Sequence, residues 1–250
     1  MPTVVSGKPI QKGRATMVEN RKYKFRGKKP EEYSMPDLNP HLKLHRKMVP
    51  PVVVAEEAPG FKGKWGQAFP NPDQPLHLEI GPGNGFYLAG MAKRHPDLNW
   101  LGIEIRFKRV VLVAKKINAA EATNARIARY DAWQLQDLFV DGELDGLHIN
   151  FPDPWKHRRG EKHRLMRTEL AVWAASVLKP GGEIRMKSDH RPNLERVVDA
   201  CADLPISLVD FIDDIDKVGA PWSDDLVTNY QSKFNLRGEP IYAALLRRDG

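Results

Sequence analysis

Residues 76–96 read LHLEIGPGNGFYLAGMAKRHP, and the type of fold can be predicted from this stretch. The apolar run LHLEIG predicts a short strand, and the segment that follows predicts a helix ending before Pro96. Gly81, Gly83 and Gly85 stand where the strand turns into the helix. Glycines there allow a ligand to approach the backbone closely, although the glycines alone also fit an ordinary tight turn. A dinucleotide-binding loop needs a further glycine after a longer gap, which this loop lacks.

The same alternation of apolar runs and amphipathic segments continues to the end of the chain. Seven strands are predicted, in LHLEIG, NWLGIEI, ARIARYDA, LDGLHINF, EIRMKSD, SLVDFIDDI and EPIYAALLRR. Four helices are predicted between strands, in GFYLAGMAKRHP, RFKRVVLVAKKINAAEA, RTELAVWAASVLKPGG and NLERVVDACADL, the third of them closed by Pro180-Gly181-Gly182. Alternating strand and helix units form parallel sheets with helices on both faces. The predicted fold is therefore α/β and Rossmann-like, with a mostly parallel sheet.

Three acidic residues follow or end successive predicted strands. Glu79 precedes the glycine loop, Glu104 ends the second strand, and Asp131 follows the third. Glu104 or Asp131 alone also fits a solvated loop carboxylate, but in an open α/β sheet these strand ends line one crevice. Glu79 would repel a pyrophosphate and suits a cationic amino acid, Glu104 can accept from ribose hydroxyls, and Asp131 can meet an adenine amino group. This combination fits S-adenosylmethionine as the cofactor.

The fourth predicted strand leads into Phe151-Pro152-Asp153-Pro154-Trp155. The two prolines stiffen the segment and remove backbone donors, so they hold Asp153 in one place beside the expected methyl group. Asp153 also fits a helix N-cap or a turn. A run of cations follows and favours a phosphate-contacting edge over a solvated helix face: Lys156, Arg158, Arg159, Lys162, Arg164 and Arg167.

Positive charge is concentrated at the start of the chain. The 250 residues carry a net charge of +7 and a pI of about 9.4, which favours an acidic partner such as nucleic acid. Through Lys29 there are nine Lys or Arg residues and one acid, Glu19. This segment fits a disordered solubilising tail, or an arm that follows phosphates with Tyr23 and Phe25 available for stacking.

Other classes of site and location are disfavoured by composition. The single cysteine, Cys201, excludes an internal disulfide and a cysteine-based zinc site, and is predicted to be a small core residue. No apolar run reaches the length of a membrane span and the N-terminus lacks an apolar signal region, so a cytoplasmic protein is expected. His41 and His45 have helical spacing without matching ligands, so we expect them on an exposed or RNA-facing surface and expect no metal.

From Leu78 to the C-terminus the chain resembles the bacterial tRNA (guanine-N7-)-methyltransferases. The resemblance rests on EIGPGNG, GIEIR, FPDPW followed by EKHRL, LKPGGEIRMKSD, and TNYQ followed by RGEPIYAALL. It implies a methyltransferase domain over residues 71–250 with an antiparallel C-terminal strand, after a basic extension over 1–70 that is partly disordered or contacts RNA. The implied reaction is methylation of guanine N7 in tRNA by S-adenosylmethionine, at position 46 in the variable loop.

The resemblance also implies roles for individual residues. Asp153 would be catalytic and would also bind the cofactor, together with Glu79, Gly81, Gly83, Gly85, Glu104 and Asp131. The residues implied in substrate binding are Lys156, His157, Asp189, Thr228 and Gln231. The oligomeric state stays open, as either a monomer or a homodimer.

Two positions depart from the family pattern. His157 stands where the family has lysine, and Gln231 replaces a glutamate that could accept from guanine N1–H and N2–H₂ together. Two alternatives therefore remain: a methyltransferase acting on another substrate, and an RNA-binding paralogue with weak or no activity. A nicotinamide dehydrogenase is disfavoured by the loop spacing and by Glu79.

Overall fold

The computed structural model describes residues 40–155 and 158–250. Its strands are β1 (Val52–Val53), β2 (Leu76–Ile80), β3 (Asn99–Glu104), β4 (Ala125–Arg129), β5 (Leu144–Asn150), β6 (Leu178–Ser188), β7 (Ile206–Ile212) and β8 (Tyr242–Arg248). Its α-helices are α1 (Pro40–Arg46), α2 (Phe86–Arg94), α3 (Phe107–Ala119), α4 (Thr168–Val177), α5 (Arg191–Cys201), α6 (Ile215–Val218) and α7 (Asn229–Asn235). Short 3-10 helices cover Ala58–Phe61, Trp65–Ala68, Leu135–Asp137 and Arg158–His163. No helix within these ranges is long and apolar enough to cross a membrane.

The strands form one sheet in the order β1-β4-β3-β2-β5-β6-β8-β7. Every pairing is parallel except those of β8, which runs antiparallel to both β6 and β7. The predicted fold, including the antiparallel C-terminal strand, is confirmed. The sheet has eight strands rather than the predicted seven, because Val52 and Val53 pair with Ile127 and Ala128 of β4.

Helices cover both faces of the sheet, which explains why its central strands β2, β3 and β5 are buried along most of their length. On one face, α2 and α3 pack against Trp100 and Ile127. On the other face, α4 and α5 pack against Leu78, Leu147 and Ile184. Cys201 lies in this second layer and is buried, as the sequence predicted, and burial raises the pKa of its thiol to about 11.

Part of the segment predicted as an extension packs into this second layer. The Trp65 side chain is fully buried, its Nε1 donates to the backbone oxygen of Leu138 (2.7 Å), and its ring stacks between Phe61 and Phe139. The carboxylate of Glu143 accepts from the backbone N–H of Trp65 (3.2 Å). Residues 1–39 lie outside the described residues, so the predicted RNA-contacting role of the extension stays a prediction.

Two local expectations are wrong. His45 was expected at the surface but is buried, because α1 packs on α3 and brings the imidazole within 5.0 Å of the Phe107 ring. Pro180-Gly181-Gly182 was expected to lie between a helix and a strand, but β6 already begins at Leu178, which pairs with Leu144. The register then shifts so that Gly146 pairs with Glu183, and a bulge holds the proline and glycines outside the ladder.

The buried Trp65 provides a test of whether residues 51–69 belong to the folded domain. Trp65→Ala should lower the free energy of unfolding by about 3–5 kcal/mol, because it removes a buried indole and leaves the Leu138 oxygen without its donor. Urea unfolding followed by circular dichroism measures this change. Leu236→Ala, at an exposed side chain, is the matched control and should have almost no effect. An unchanged stability of the Trp65 variant would contradict this assignment.

Candidate active site

The crevice at the carboxyl ends of the strands opens where the sheet order reverses, between β2 and β5. From β2 the chain continues to β3 and β4 on one side, whereas β5 is followed by β6 on the other. Ligands of open α/β sheets bind at such a point because the connecting loops diverge there. A hydrogen bond joins the two strands across it: Asn150 Nδ2 donates to Glu79 Oε1 at 3.0 Å.

Glu79 is a buried carboxylate at this point, with 1% of its surface exposed. Burial raises its pKa to about 7, although the Asn150 hydrogen bond, the charge of Lys187 and the backbone N–H of Leu88 each act to lower it. Its Oε2 is buried and has no hydrogen-bond partner within 3.5 Å among the described residues. A buried acid with an unsatisfied oxygen favours a cationic group beside it, since the cation would stabilise the ionised form.

The glycines of the loop have two roles: one leaves space at the crevice, and another allows two helices to pack closely. Gly81, Gly83 and Gly85 all have positive φ, at 71°, 55° and 78°, a conformation that other residues rarely adopt. A Cβ at Gly81 would meet nothing within 4 Å, so open space adjoins the loop. A Cβ at Gly85 would lie 2.8 Å from the backbone of Val113, so this glycine is required for α2 to approach α3. The loop therefore leaves room for a ligand at Gly81.

The structure places the other two acids at neighbouring strand ends. Glu104 ends β3, and its Oε1 accepts from the backbone N–H of Arg106 at 2.9 Å. Asp131 lies just beyond β4, and its Oδ1 accepts from the backbone N–H of Trp133 at 3.0 Å. Both side chains are half-buried, and burial raises the pKa of each carboxyl group. Because β4, β3 and β2 are adjacent, the three acids form a row at the carboxyl ends of these strands.

Asp153 is exposed in the segment that follows β5. The residues two positions before and after it, Phe151 and Trp155, have φ of 50° and 42°. Bulky residues rarely occupy this left-handed region, and strain of this kind persists only where the surrounding structure imposes it. Asn193 of α5 donates to the Pro152 oxygen (3.2 Å), and Arg164 donates to the Trp155 oxygen (3.0 Å). The Asp153 loop is therefore held from both sides.

Two cations of the basic run have partners within the chain. Arg164 holds the Asp153 loop and lies 3.4 Å from Glu161, and the Arg167 guanidinium lies over the Trp133 ring and contacts Glu169. Contacts of these two cations do not test the expected phosphate-contacting edge, which stays a prediction. Lys156 and His157 lie outside the described residues, and so do the side chains of Arg158, Arg159 and Lys162.

The remaining predicted substrate residues lie on the opposite side of the crevice from the acid row. Asp189 directly follows β6 and is half-buried. Thr228 is the N-cap of α7, where its hydroxyl accepts from the backbone N–H of Gln231 at 3.0 Å. Gln231 is buried, and its Oε1 accepts from Lys187 Nζ at 3.0 Å. In this arrangement Thr228 and Gln231 bind within the chain, and their predicted contact with guanine stays a prediction.

Sequence reasoning missed three polar residues that build the crevice: the half-buried Asn150 and the buried Lys187 and Asn193. The fully buried Lys187 also donates to Asp225 Oδ1 (2.8 Å) and to the Leu226 oxygen (3.0 Å), and burial lowers its pKa. A signal existed for two of them, because Asn150 and Lys187 are polar residues at the ends of apolar strands that were predicted to reach the crevice. Among the described residues, no cluster of acidic, histidine or cysteine side chains could hold a metal ion.

Comparisons with known proteins agree with this geometry. A family model described as "Putative methyltransferase" matches residues 73–244. Among solved structures, the 16S rRNA methyltransferase KamB superimposes with a TM-score of 0.53 at 16% identity, covering 71% of this chain and 89% of that one. At this identity the superposition supports the fold alone.

Curated relatives are closer in sequence. The tRNA (guanine-N(7)-)-methyltransferase of Bacillus subtilis (strain 168) is 36% identical over 185 residues, which is 74% of this chain and 85% of that protein. The tRNA (guanine-N(7)-)-methyltransferase of Lactococcus lactis subsp. cremoris (strain MG1363) is 33% identical over 192 residues, or 76% of this chain and 87% of that protein. These matches cover most of the chain, and they agree with its fold and its crevice. The chain therefore belongs to the tRNA (guanine-N(7)-)-methyltransferase family.

Proposed function

We propose that this protein methylates N7 of a guanine in tRNA, with S-adenosylmethionine as the methyl donor. The observation that carries this proposal is the row of partly or fully buried acids, Glu79, Glu104 and Asp131, beside the constrained Asp153 loop. The methylated position in the variable loop, implied by the family resemblance, belongs to the same proposal, as does a cytoplasmic location.

The residues of the crevice fit this cofactor. Bound S-adenosylmethionine supplies a methyl group on a positively charged sulfur, and it also carries a cationic amino group. Glu79 would hold the cationic end, because its buried Oε2 lacks a partner and a nearby positive charge would favour its ionised form. Glu104 would accept from the ribose hydroxyls, Asp131 would meet the adenine amino group, and the open space beside Gly81 would admit the ligand.

The acceptor atom explains why the site needs no general base. Guanine N7 has a free lone pair at neutral pH, so no proton has to be removed before methylation. The product ring carries a positive charge, which the carboxylates of Asp153 and Asp189 would stabilise from fixed positions. The exposed side chain of Asp153 suits contact with a base that is accessible outside a duplex, such as one in a loop.

One observation favours a second candidate, an RNA-binding paralogue with weak or no methyl transfer. Gln231 stands where the family has glutamate, and its Oε1 is already bonded to Lys187. A neutral side chain in this position would bind guanine less well than a carboxylate.

Transfer of labelled methyl groups from S-adenosylmethionine to unmodified tRNA transcripts, followed by mapping of the modified nucleotide, separates the two candidates. We expect incorporation at guanine N7 of a single nucleotide. Tight RNA binding without incorporation would favour the second candidate, and methylation of another substrate alone would reject both.

Asp153→Ala should reduce kcat by roughly a hundredfold or more, because a fixed charge near the acceptor ring is lost. The change should leave the fold intact, since this side chain is exposed. Single-turnover methylation and thermal unfolding measure the two effects. Asp203→Ala is the matched control, because it removes an exposed carboxylate between α5 and β7. Near-normal turnover by the Asp153 variant would exclude Asp153 from the mechanism.

Binding of S-adenosylmethionine should depend on pH through Glu79. Because the pKa of Glu79 in the free protein is about 7, this acid is largely protonated at lower pH and ionised at higher pH. Only the ionised form attracts a cation, so affinity should rise as pH increases through about 7, up to about pH 8, where the α-amino group of the ligand begins to lose its own proton.

Calorimetric titrations between about pH 6 and 8 measure this dependence. Glu79→Gln keeps the shape and the Asn150 contact while removing the charge, so it should weaken binding and flatten the profile. An identical pH profile for wild type and variant would show that Glu79 is not responsible.

A further inference from the structure

Three aromatic rings meet beside the Asp153 loop, and we call them the aromatic platform: Phe151, Tyr230 and Phe234. The Phe151 and Phe234 rings are parallel within 6° with centroids 5.8 Å apart. The Tyr230 ring lies 5.8 Å from Phe151 and 5.9 Å from Phe234, tilted by 32° and 38°.

The rings of the platform differ in exposure. Phe151 and Phe234 are half-buried and pack on a core cluster that includes Trp222 and Ile241. Tyr230 is 57% exposed. Residues at successive helix positions point in different directions, so the buried Gln231 faces the sheet while Tyr230 of the same helix faces solvent. The platform therefore presents one large ring supported from behind by two others.

The platform lies next to the candidate catalytic residue. Phe151 comes two residues before Asp153, and its positive φ of 50° belongs to the constrained segment that carries this acid. The strained backbone thus fixes an aromatic ring and a carboxylate in one short, pinned segment. A base held on the platform would be close to the position where Asp153 acts.

Cations accompany the rings. Lys233 Nζ lies 5.8 Å from the centroid of Tyr230, and Arg237 Cζ lies 5.9 Å from that of Phe234. The Lys233 side chain is exposed on the same helix as Tyr230. A stacking ring with an adjacent cation is the combination by which proteins hold single-stranded nucleic acid, because the ring takes the base and the cation takes the phosphate.

Two polar side chains at the start of α7 have partners within the chain. The Thr228 hydroxyl caps the helix, and Gln231 Oε1 accepts from Lys187. Gln231 Oε1 would therefore have to give up its bond to Lys187 before it could accept from a base. The exposed face of Tyr230 is a feature of α7 that suits contact with a base.

We propose that the aromatic platform stacks one unpaired nucleobase of the tRNA substrate on Tyr230, at the entrance to the active site, with Lys233 contacting a neighbouring phosphate. This inference rests on the proposed function and adds to it a subsite for the RNA. The stacked base is either the acceptor guanine or a nucleotide adjoining it. Stacking supplies affinity without reading sequence, so it complements the carboxylates that act on the acceptor ring.

The test compares Tyr230→Leu with Tyr230→Phe, using unmodified tRNA transcripts. Leucine keeps an apolar side chain against Phe151 and Phe234 but has no ring face, whereas phenylalanine keeps the face. We expect Tyr230→Leu to raise the dissociation constant and the KM for tRNA by about ten- to a hundredfold, and Tyr230→Phe to remain within about threefold of wild type. The dissociation constant for S-adenosylmethionine and the melting temperature should not change in either variant.

Two further variants separate stacking from charge and from general surface effects. Lys233→Gln should weaken binding to all tRNA transcripts by a similar factor and reduce the slope of log K against log salt by about one. Leu236→Ala, at the end of α7 and outside the ring cluster, is the matched control and should bind tRNA like wild type.

Transcripts with an abasic site identify the stacked base. The abasic site is placed at the mapped guanine or at either adjoining nucleotide, and dissociation constants are measured for wild type and Tyr230→Leu. At the stacked position, removing the base should strongly weaken tRNA binding by wild type. It should weaken binding by Tyr230→Leu only slightly, because this variant has already lost the stacking interaction.

The proposal is overturned if Tyr230→Leu binds tRNA like wild type, if Tyr230→Phe loses as much as Tyr230→Leu, or if no abasic position couples to Tyr230. It is also overturned if wild type is a dimer that Tyr230→Leu dissociates, since a second copy would then cover the ring. These outcomes are distinct from failure of the proposed function, in which wild type itself does not methylate tRNA.

Discussion

The rest of the site depends on one buried carboxylate, at the point where the strand order of the sheet reverses. Glu79 lies on β2, its partner Asn150 lies on β5, and their 3.0 Å hydrogen bond spans the point where the sheet order reverses. Burial raises the pKa of Glu79 to about 7, and its second oxygen has no partner among the described residues. An ionised acid in this place is costly without a cation, so the fold itself creates affinity for a positively charged ligand.

The second constraint is the stiffness of the Asp153 loop. Two prolines limit its backbone, two positive-φ residues flank the acid, and hydrogen bonds from Asn193 and Arg164 fix the carbonyl groups on either side. Methyl transfer to a lone pair requires accurate placement more than acid–base chemistry, and placement is what this loop provides. Arg164 belongs to the basic run after the loop, yet its contacts lie within the chain.

A third element is the buried cation Lys187, which ties the segment before α7 to the sheet. Arg185 and Lys187 lie on the same face of β6, and they bind the neighbouring residues Asp224 and Asp225. Lys187 also binds Gln231, at the position where the family has glutamate. A buried lysine with a single charged partner needs further acceptors, and the amide oxygen of Gln231 supplies one. This contact turns Gln231 inward and leaves Tyr230 exposed on the outer side of the same helix.

The sequence alone determined the order of strands β2 to β8 and of helices α2 to α5, the glycine loop, the acid at each strand end and the proline-bounded Asp153, because each is a local pattern of periodicity or residue type. It did not reveal β1 or the short helices α1, α6 and α7, since segments of two to seven residues are too short to show a clear period, and it placed His45 at the surface. Only the tertiary structure decided which polar groups meet. Glu79 and Asn150 are 71 residues apart, and Lys187 and Gln231 are 44 apart. Contacts between distant segments follow from how strands and helices pack, and a local pattern cannot specify them.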